Sequence, residues 1–239
     1  MKYNKSIRAG FTLYEMLVCL AIISIIAGIA FYSNKQFKTD IEISNLAYKM
    51  ALEVRQAQVD SVSVRQFTDI SGQQSFSVPY GIHFSKSNPN SFILFADADG
   101  DGLYTNSSGD EFECDTSVGS ECVEMVTIGR NNSIKGWCGF LWSNTSATCF
   151  YNGVGNDKQY LDIAFKRPDP DARFKAYDSL YAEKGEMGPV CNDSSNNVEC
   201  TGWAICLTSP QGREKRVVVY NTGQISVENT QKTDPICGN

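Results

Sequence analysis

Histidine is almost absent from this sequence, and two common functional patterns are missing. Among 239 residues there is one histidine, His83, and neither a Gly-x-Ser-x-Gly nor a Cys-x-x-Cys pattern occurs. The first pattern positions the serine nucleophile of many hydrolases, and the second is the usual spacing of zinc-binding thiolates. We therefore expect that the protein is not an enzyme, and a zinc centre is the disfavoured alternative.

Glycine and proline are both absent from Ile29 to Ser71. Over much of this stretch apolar residues recur at helical spacing; they are Ile43, Leu46, Ala47, Met50, Ala51, Val54 and Ala57. The pattern predicts one helix from about residue 11 to about residue 65. Its second half is expected to pack an apolar stripe on a globular domain.

Charge is scarce between Phe11 and Phe31, where Glu15 is the only charged residue. As a helix, those residues would extend about 31 Å, enough to cross a bilayer. The preceding residues carry Lys2, Lys5 and Arg8 and no acid. A basic head stays in the cytoplasm, so the sequence predicts a single-pass membrane protein with an extracytoplasmic C-terminal domain.

A small residue stands before the apolar run, at Gly10, whereas a secretory signal has its small-residue cleavage site after the run. Cleavage after Gly10 would leave Phe11 as the new N-terminus and Glu15 as the fifth residue. A carboxylate in lipid costs several kcal/mol unless it is paired. The terminal amine of a neighbouring copy is a suitable partner, whereas a plain signal anchor with one tolerated acid is the alternative.

The segment Gly10-Phe11-Thr12-Leu13-Tyr14-Glu15-Met16-Leu17 resembles the signal of type IV pilins and type II secretion pseudopilins. The resemblance implies cleavage between Gly10 and Phe11 by a prepilin peptidase, and methylation of Phe11. It also implies membrane lipid around the helix before assembly, and then an inner-membrane assembly platform and other pilins or pseudopilins as partners.

Positive charge is in short supply after the leader. The full chain has a net charge of −6, and removal of Lys2, Lys5 and Arg8 would make it −9. Such an acidic protein is a poor general binder of nucleic acid. A local DNA-binding patch is the less favoured alternative, with candidates Lys166, Arg167, Arg213, Lys215 and Arg216.

Cysteine is confined to residues 114–237 except for Cys19, which we expect to pack in the apolar segment. An even number of cysteines in an exported domain indicates disulfides, although eight cysteines allow 105 connectivities. Short local loops are the favoured choice. The predicted pairs are Cys114–Cys122, Cys138–Cys149, Cys191–Cys200 and Cys206–Cys237.

Acidic residues alternate in the stretch Asp97-Ala98-Asp99-Gly100-Asp101-Gly102-Leu103. Carboxylates at positions 1, 3 and 5 with glycine at 6 match the start of a Ca²⁺ loop, where Leu103 would contribute its carbonyl. Position 12, however, is Ser108 rather than glutamate, so Asp110 or Glu111 is expected to close the shell from a longer loop. A solvated Asp/Gly-rich turn is the alternative.

The remaining chain predicts a disulfide-stapled α+β fold, in which the long helix packs on antiparallel β-sheets. The segments are a leader at 1–10, a transmembrane or filament-core helix at 11–33, its amphipathic continuation at 34–71 and a β-rich domain at 72–239. Strands are expected at 75–78, 80–85, 91–96, 124–128, 160–165, 202–208, 216–220 and 224–227, with the fifth half-buried. Residues 175–200 are predicted as loop.

Trp137, Trp142 and Phe150 are expected to form a small core, or alternatively a sugar-binding surface.

The domain is also similar to the H-type pseudopilins of type II secretion and to related minor pilins. The residues that carry this similarity are Tyr80–Phe84, Phe92–Asp97, Asp110-Glu111, Leu161–Phe165, Ala204–Leu207 and Arg216–Ile225. The resemblance implies a structural subunit that initiates or caps a type IV filament. A binding module at the filament tip, for DNA uptake or surface adhesion, is the alternative.

Overall fold

The protein consists of two units, Met1–Ile41 and Glu42–Asn239. The computed structural model describes residues 10–63, 65–68, 74–76, 78–106, 112–114, 120–141, 147–151, 159–177, 190–193, 196–230 and 236–237. Side chains are not described at 33–36, 190–193 and 196–199.

One helix, α1, runs from Leu13 to Val62 and confirms the predicted long helix. Within the second unit its buried face repeats every three or four residues, at Ile43, Ala47, Met50, Val54 and Ala57. This spacing places the side chains on one side of the helix. The helix is continuous through Gly28.

Fourteen strands are present in the described part of the chain. They are β1 (Phe67–Thr68), β2 (Gln74–Ser75), β3 (Tyr80–Ser85), β4 (Ser91–Ala96), β5 (Cys122–Thr127), β6 (Ser133–Phe140), β7 (Ala147–Tyr151), β8 (Tyr160–Phe165), β9 (Ala172–Tyr177), β10 (Val190–Asp193), β11 (Asn196–Glu199), β12 (Gly202–Thr208), β13 (Glu214–Tyr220) and β14 (Ile225–Asn229).

Two five-stranded antiparallel sheets form the body of the second unit. Their strand orders are β5-β4-β3-β8-β9, the first sheet, and β14-β13-β12-β6-β7, the second sheet. The main core joins the buried face of α1 to apolar residues of both sheets, including Ile82, Phe84, Trp137 and Trp203. The predicted architecture, a helix packed on antiparallel sheets, is therefore confirmed.

Both sheets are also covered on the face away from this core. Tyr104 packs with Ile93, Phe95 and Ala164 behind the first sheet, and Cys237 packs with Cys206 behind the second. Strand β8 is consequently buried at every position, so the prediction of a half-buried strand at 160–165 was wrong. The covering segments come from outside the sheets, and strand alternation does not reveal them.

Several strands lie where none was predicted. Strands β10 and β11 pair within the segment 175–200 that was expected to be loop, and β9 also extends into it. Strands β6 and β7 form a further antiparallel pair in the Asn- and Gly-rich stretch after residue 130. These segments carry many polar residues, and their strand structure depends on pairing with neighbours.

Three of the four predicted disulfides are present: Cys114–Cys122, Cys138–Cys149 and Cys206–Cys237. Cys200 is disulfide-bonded, and the side chain of its predicted partner Cys191 lies outside the described residues. Cys19 is a free, exposed cysteine. The bonded cysteines connect loops and strands of the second unit.

Polar contacts join the end of α1 to the β8–β9 and β13–β14 turns of the second unit. The guanidinium of Arg167 donates to the carbonyls of Ser61 and Ser63, which have no partner within the helix. Gln58 donates to the carbonyls of Pro170 and Gly223, at 2.8 Å and 2.9 Å. The helix terminus is therefore fixed by a side chain of the helix, Gln58, and by a side chain of the β8–β9 turn, Arg167.

Candidate functional site

The first candidate site is the start of α1, where Gly10, Phe11 and Thr12 precede the first helical residue. The hydroxyl of Thr12 accepts a hydrogen bond from the amide of Glu15, at 3.2 Å. This is the N-cap contact of a capping box, the pattern Ser/Thr-x-x-Glu. The helix thus begins two residues after Phe11, and Glu15 lies in its first turn.

In the first unit, α1 exposes apolar side chains on all sides. Exposed side chains include Leu13, Leu17, Ile22, Ile26 and Ile29. Ser24 satisfies its hydroxyl within the helix, by donating to the carbonyl of Leu20 at 2.8 Å. Over this stretch the helix is long and apolar enough to cross a membrane. A helix that is apolar all round requires lipid or other helices as its surroundings.

The second candidate site is the loop that follows β4, which we call the acidic loop, residues 97–106. Gly100 and Gly102 both have positive φ, at 77° and 76°, and glycine adopts this conformation without steric cost. The amide of Gly102 donates to Asp97 Oδ2 at 2.9 Å, and the amide of Asp101 donates to Asp99 Oδ1 at 3.1 Å. The loop therefore folds back on its own carboxylates.

Glu121, just before β5, connects the two ends of the acidic loop. Its Oε1 accepts the amide of Ala98 at 2.7 Å, and its Oε2 accepts the amide of Thr105 at 2.8 Å. The side chains of Asp97, Asp99 and Glu121 bring one oxygen each to within 4.8 Å of one another. Sequence reasoning missed Glu121, although it lies next to Cys122 and its disulfide to Cys114.

Two of these carboxylates are buried. Asp97 is 2% exposed and Glu121 is 4% exposed. The pKa of Asp97 is raised to about 6 and that of Glu121 to about 8, chiefly by burial and to a lesser degree by the neighbouring aspartates. Hydrogen bonds from the amides of Gly102 and Gly100 to Asp97, and of Thr105 and Ala98 to Glu121, act in the opposite direction. Negative charge at this site is therefore costly in the absence of a cation.

The other predicted ligands have different positions. The side chain of Asp101 accepts the amide of Leu103 at 2.8 Å, and the carbonyl of Asp101 accepts a hydrogen bond from Lys175. Asp101 does not belong to the carboxylate group of Asp97, Asp99 and Glu121. Asp110 and Glu111, expected to close the shell, lie outside the described residues. Their roles, and those of Asp101 and Leu103, stay predictions.

His83 is fully buried and packs against Tyr104 of the acidic loop, with ring centroids 4.9 Å apart. Its Nδ1 lies 2.6 Å from Asp162 Oδ1. The other oxygen of Asp162 accepts the Tyr104 amide at 2.9 Å and the Tyr177 hydroxyl at 2.8 Å. Asp162 therefore ties the C-terminal part of the acidic loop to the first sheet.

The basic residues proposed as a DNA-binding patch are largely engaged in internal contacts. Arg216 forms an ion pair with Glu228 at 2.8 Å and donates to the carbonyl of Ile236. Lys215 donates to the side chain of Asn229, and Arg167 caps α1. These contacts reduce the charge that the candidates could offer to phosphates.

Two of the three aromatic residues considered for sugar binding are described. Trp137 is fully buried in the main core. Phe150 is partly buried and stacks on Trp203, with ring centroids 6.1 Å apart. Trp142 lies outside the described residues. The first two side chains pack in the domain, as the core interpretation predicted, and Trp137 presents no surface for a sugar.

Residues 5–31 match the model of the prokaryotic N-terminal methylation motif. No curated protein and no solved structure matches the chain. The matched stretch contains Gly10, Phe11 and Glu15, and the structure places these residues at the start of an exposed apolar helix. The chain therefore carries the type IV pilin-class signal at the start of a helix that is long and apolar enough to cross a membrane.

Proposed function

We propose that this pilin-like protein is a minor pilin or H-type pseudopilin, a structural subunit that initiates or caps a type IV filament. One observation carries the proposal: the signal at Gly10–Glu15 leads into an apolar helix whose exposed side chains require lipid or neighbouring helices. The same helix continues into the core of the second unit. Assembly through the exposed part of the helix would therefore carry the folded domain into the filament on one continuous helix.

Processing is the first step of the proposed role. Prepilin peptidase cleaves after Gly10 and creates an amine on Phe11, directly before the Thr12 N-cap. The positive end of the helix dipole disfavours a positive charge at this place and favours a negative one. A carboxylate near the amine offsets this cost, and Glu15 of an adjacent subunit supplies it in the assembled filament.

The proposed location follows from the charge distribution and the disulfides. The basic leader remains in the cytoplasm, and the second unit folds outside, where its disulfides persist. Lipid surrounds the helix until the inner-membrane assembly platform transfers the subunit to the filament. The proposed role is structural and requires no enzymatic activity.

Glu15→Gln tests the pairing of Glu15 with the terminal amine. It removes the charge, keeps the size and leaves the Thr12 cap intact, since the cap uses the Glu15 backbone amide. We expect normal processing, but at least about a tenfold lower amount in sheared filaments, because an unpaired terminal amine in an apolar environment costs several kcal/mol. The measurement is quantitative mass spectrometry of the filament and membrane fractions.

Glu53→Gln is the matched control, because Glu53 is on the same helix but in the second unit. It should enter filaments at the wild-type level. Wild-type incorporation of Glu15→Gln would contradict the proposed pairing, whereas a failure of both variants would indicate a general effect of charge on the helix.

A further inference from the structure

We propose that Asp97, Asp99 and Glu121 bind a Ca²⁺ ion, with Glu121 closing the acidic loop in place of a glutamate at position 12. This inference is independent of the filament role, because it concerns side chains of the second unit alone. It moves the closing ligand to the residue before β5, well beyond the end of a twelve-residue loop.

The unsatisfied oxygen of Asp97 is the observation that points to a ligand. Asp97 Oδ2 accepts the Gly102 amide, but Oδ1 has no hydrogen-bond partner in the described part of the chain, although the side chain is 2% exposed. An unsatisfied buried carboxylate oxygen is costly. The same side chain lies with Asp99 and Glu121 in the carboxylate group, so a bound cation would satisfy Oδ1.

The charges around the site also favour a cation. Among the described residues, neither Asp97 nor Glu121 forms an ion pair with lysine or arginine. The nearby ammonium of Lys175 donates to the carbonyl of Asp101 instead.

Glu121 is held in position before any ion binds. Two loop amides donate to its carboxylate, and its backbone carbonyl accepts the amide of Ala96 at 2.8 Å. The Cys114–Cys122 disulfide fixes the next residue. A carboxylate can accept about four hydrogen bonds or metal contacts, so Glu121 retains lone pairs for a cation. Asp99, which is exposed, leaves the site open to solvent.

The all-oxygen donor set selects a hard cation. Ca²⁺ takes six to eight oxygens in flexible geometry, whereas Mg²⁺ requires a near-ideal octahedron and dehydrates reluctantly. A loop that supplies carboxylates from two separate segments, with backbone carbonyls and water to complete the shell, suits Ca²⁺ better. Thiolates nearby do not compete as ligands, because Cys122 and Cys114 are bonded to each other.

The test uses the full-length protein in detergent, with CaCl₂ and the Ca²⁺ analogue Tb³⁺ as probes. Tyr104 belongs to the acidic loop, and a tyrosine close to bound Tb³⁺ sensitises its luminescence. We expect a luminescence signal that Ca²⁺ displaces. We also expect a Tm increase of about 5–10 °C when free Ca²⁺ is about 100 times its Kd. No signal and an unchanged Tm, or an equal Tm increase with MgCl₂, would overturn the assignment.

Three variants locate the site. Asp97→Asn should abolish both effects, and Asp99→Asn should weaken Ca²⁺ affinity on the order of tenfold. Asp99 is exposed, so its substitution tests the site even if Asp97→Asn fails to fold. Asp169→Asn is the control, since it neutralises an exposed aspartate of the β8–β9 turn that does not belong to the carboxylate group, and it should bind as the wild type does. Wild-type Ca²⁺ affinity in Asp99→Asn would overturn the proposed ligand set.

Discussion

The start of α1 and the acidic loop depart from ordinary burial in opposite ways. The helix in the first unit exposes apolar side chains such as Leu13 and Ile29, and the loop buries the carboxylates of Asp97 and Glu121. In a stable isolated protein, apolar groups are covered and charges are solvated or paired. On the proposals made above, each region depends on something outside the chain: lipid and neighbouring helices for the helix, and a cation for the loop.

The comparison shows that both regions depart from the usual burial of apolar groups and exposure of charges, each for an identifiable physical reason. The exposed helix can be recognised from the sequence, because a long apolar run with a single acid is unusual. The buried carboxylates cannot be recognised in the same way, because their burial depends on which segment covers them. The predictions below test the two regions and the connection between them, from the largest expected effect to the smallest.

The largest effect is expected at the processing site. Gly10→Val places a branched side chain beside the bond that prepilin peptidase cleaves. We expect nearly complete loss of cleavage, with the precursor retained in the membrane. Gly28→Ala is the control, because a Cβ at Gly28 meets no atom within 4 Å and should leave cleavage unchanged. Intact-mass measurement of the membrane fraction distinguishes the two forms, and efficient cleavage of Gly10→Val would contradict the assigned signal.

A matched pair on α1 tests the difference between its buried face and its exposed face within the second unit. Met50 is fully buried, whereas Leu52, two residues further on, is 68% exposed. Met50→Ala should lower the free energy of unfolding by about 2–5 kcal/mol, because it leaves a cavity in the core. Leu52→Ala should change it by less than about 0.5 kcal/mol. Tryptophan fluorescence during denaturation of the full chain in detergent measures both.

Equal losses for the two variants would mean that Leu52 also packs against protein. The apolar face of α1 in the second unit would then be wider than the structure shows. A loss of stability in Met50→Ala alone would show that α1 has one buried face and one exposed face in the second unit.

The smallest effect is expected beneath the acidic loop. Tyr177→Phe removes the hydroxyl that donates to Asp162 Oδ2 and leaves the contacts of Asp162 with His83 and Tyr104 in place. We expect a loss of about 1–2 kcal/mol in the free energy of unfolding. Thermal denaturation measures it, and Tyr14→Phe, a change in the first unit, is the control. No loss would mean that Asp162 does not depend on this donor to hold the loop.

The predicted elements with strong local signals are present in the structure. The helix from Leu13 to Val62 follows from helically spaced apolar residues in a stretch without glycine or proline, and the β3–β4 and β13–β14 pairs follow from apolar strands separated by turn residues. The preference for cysteines close in sequence was also informative: Cys138 and Cys149, for example, lie opposite each other on the paired strands β6 and β7.

Other features depend on long-range packing and were not predictable in this way. Strand β8 reads as half-buried, yet Tyr104 of the acidic loop covers its second face. Glu121 joins the acidic loop only because β5 pairs with β4 and Cys122 bonds to Cys114. The usable signal was an acid adjacent to a disulfide cysteine, following a Ca²⁺-type loop that lacked its closing glutamate.

The most direct test of the central claim is the N-terminal peptide of the protein in sheared surface filaments and in membranes, identified by mass spectrometry. The account predicts a peptide that starts at methylated Phe11, in trace amounts beside a dominant pilin if the machine is a surface pilus. For a secretion pseudopilus, the same processed peptide would be found in the membrane fraction. A protein that still starts at Met1 in both fractions would contradict the assignment as a processed filament subunit.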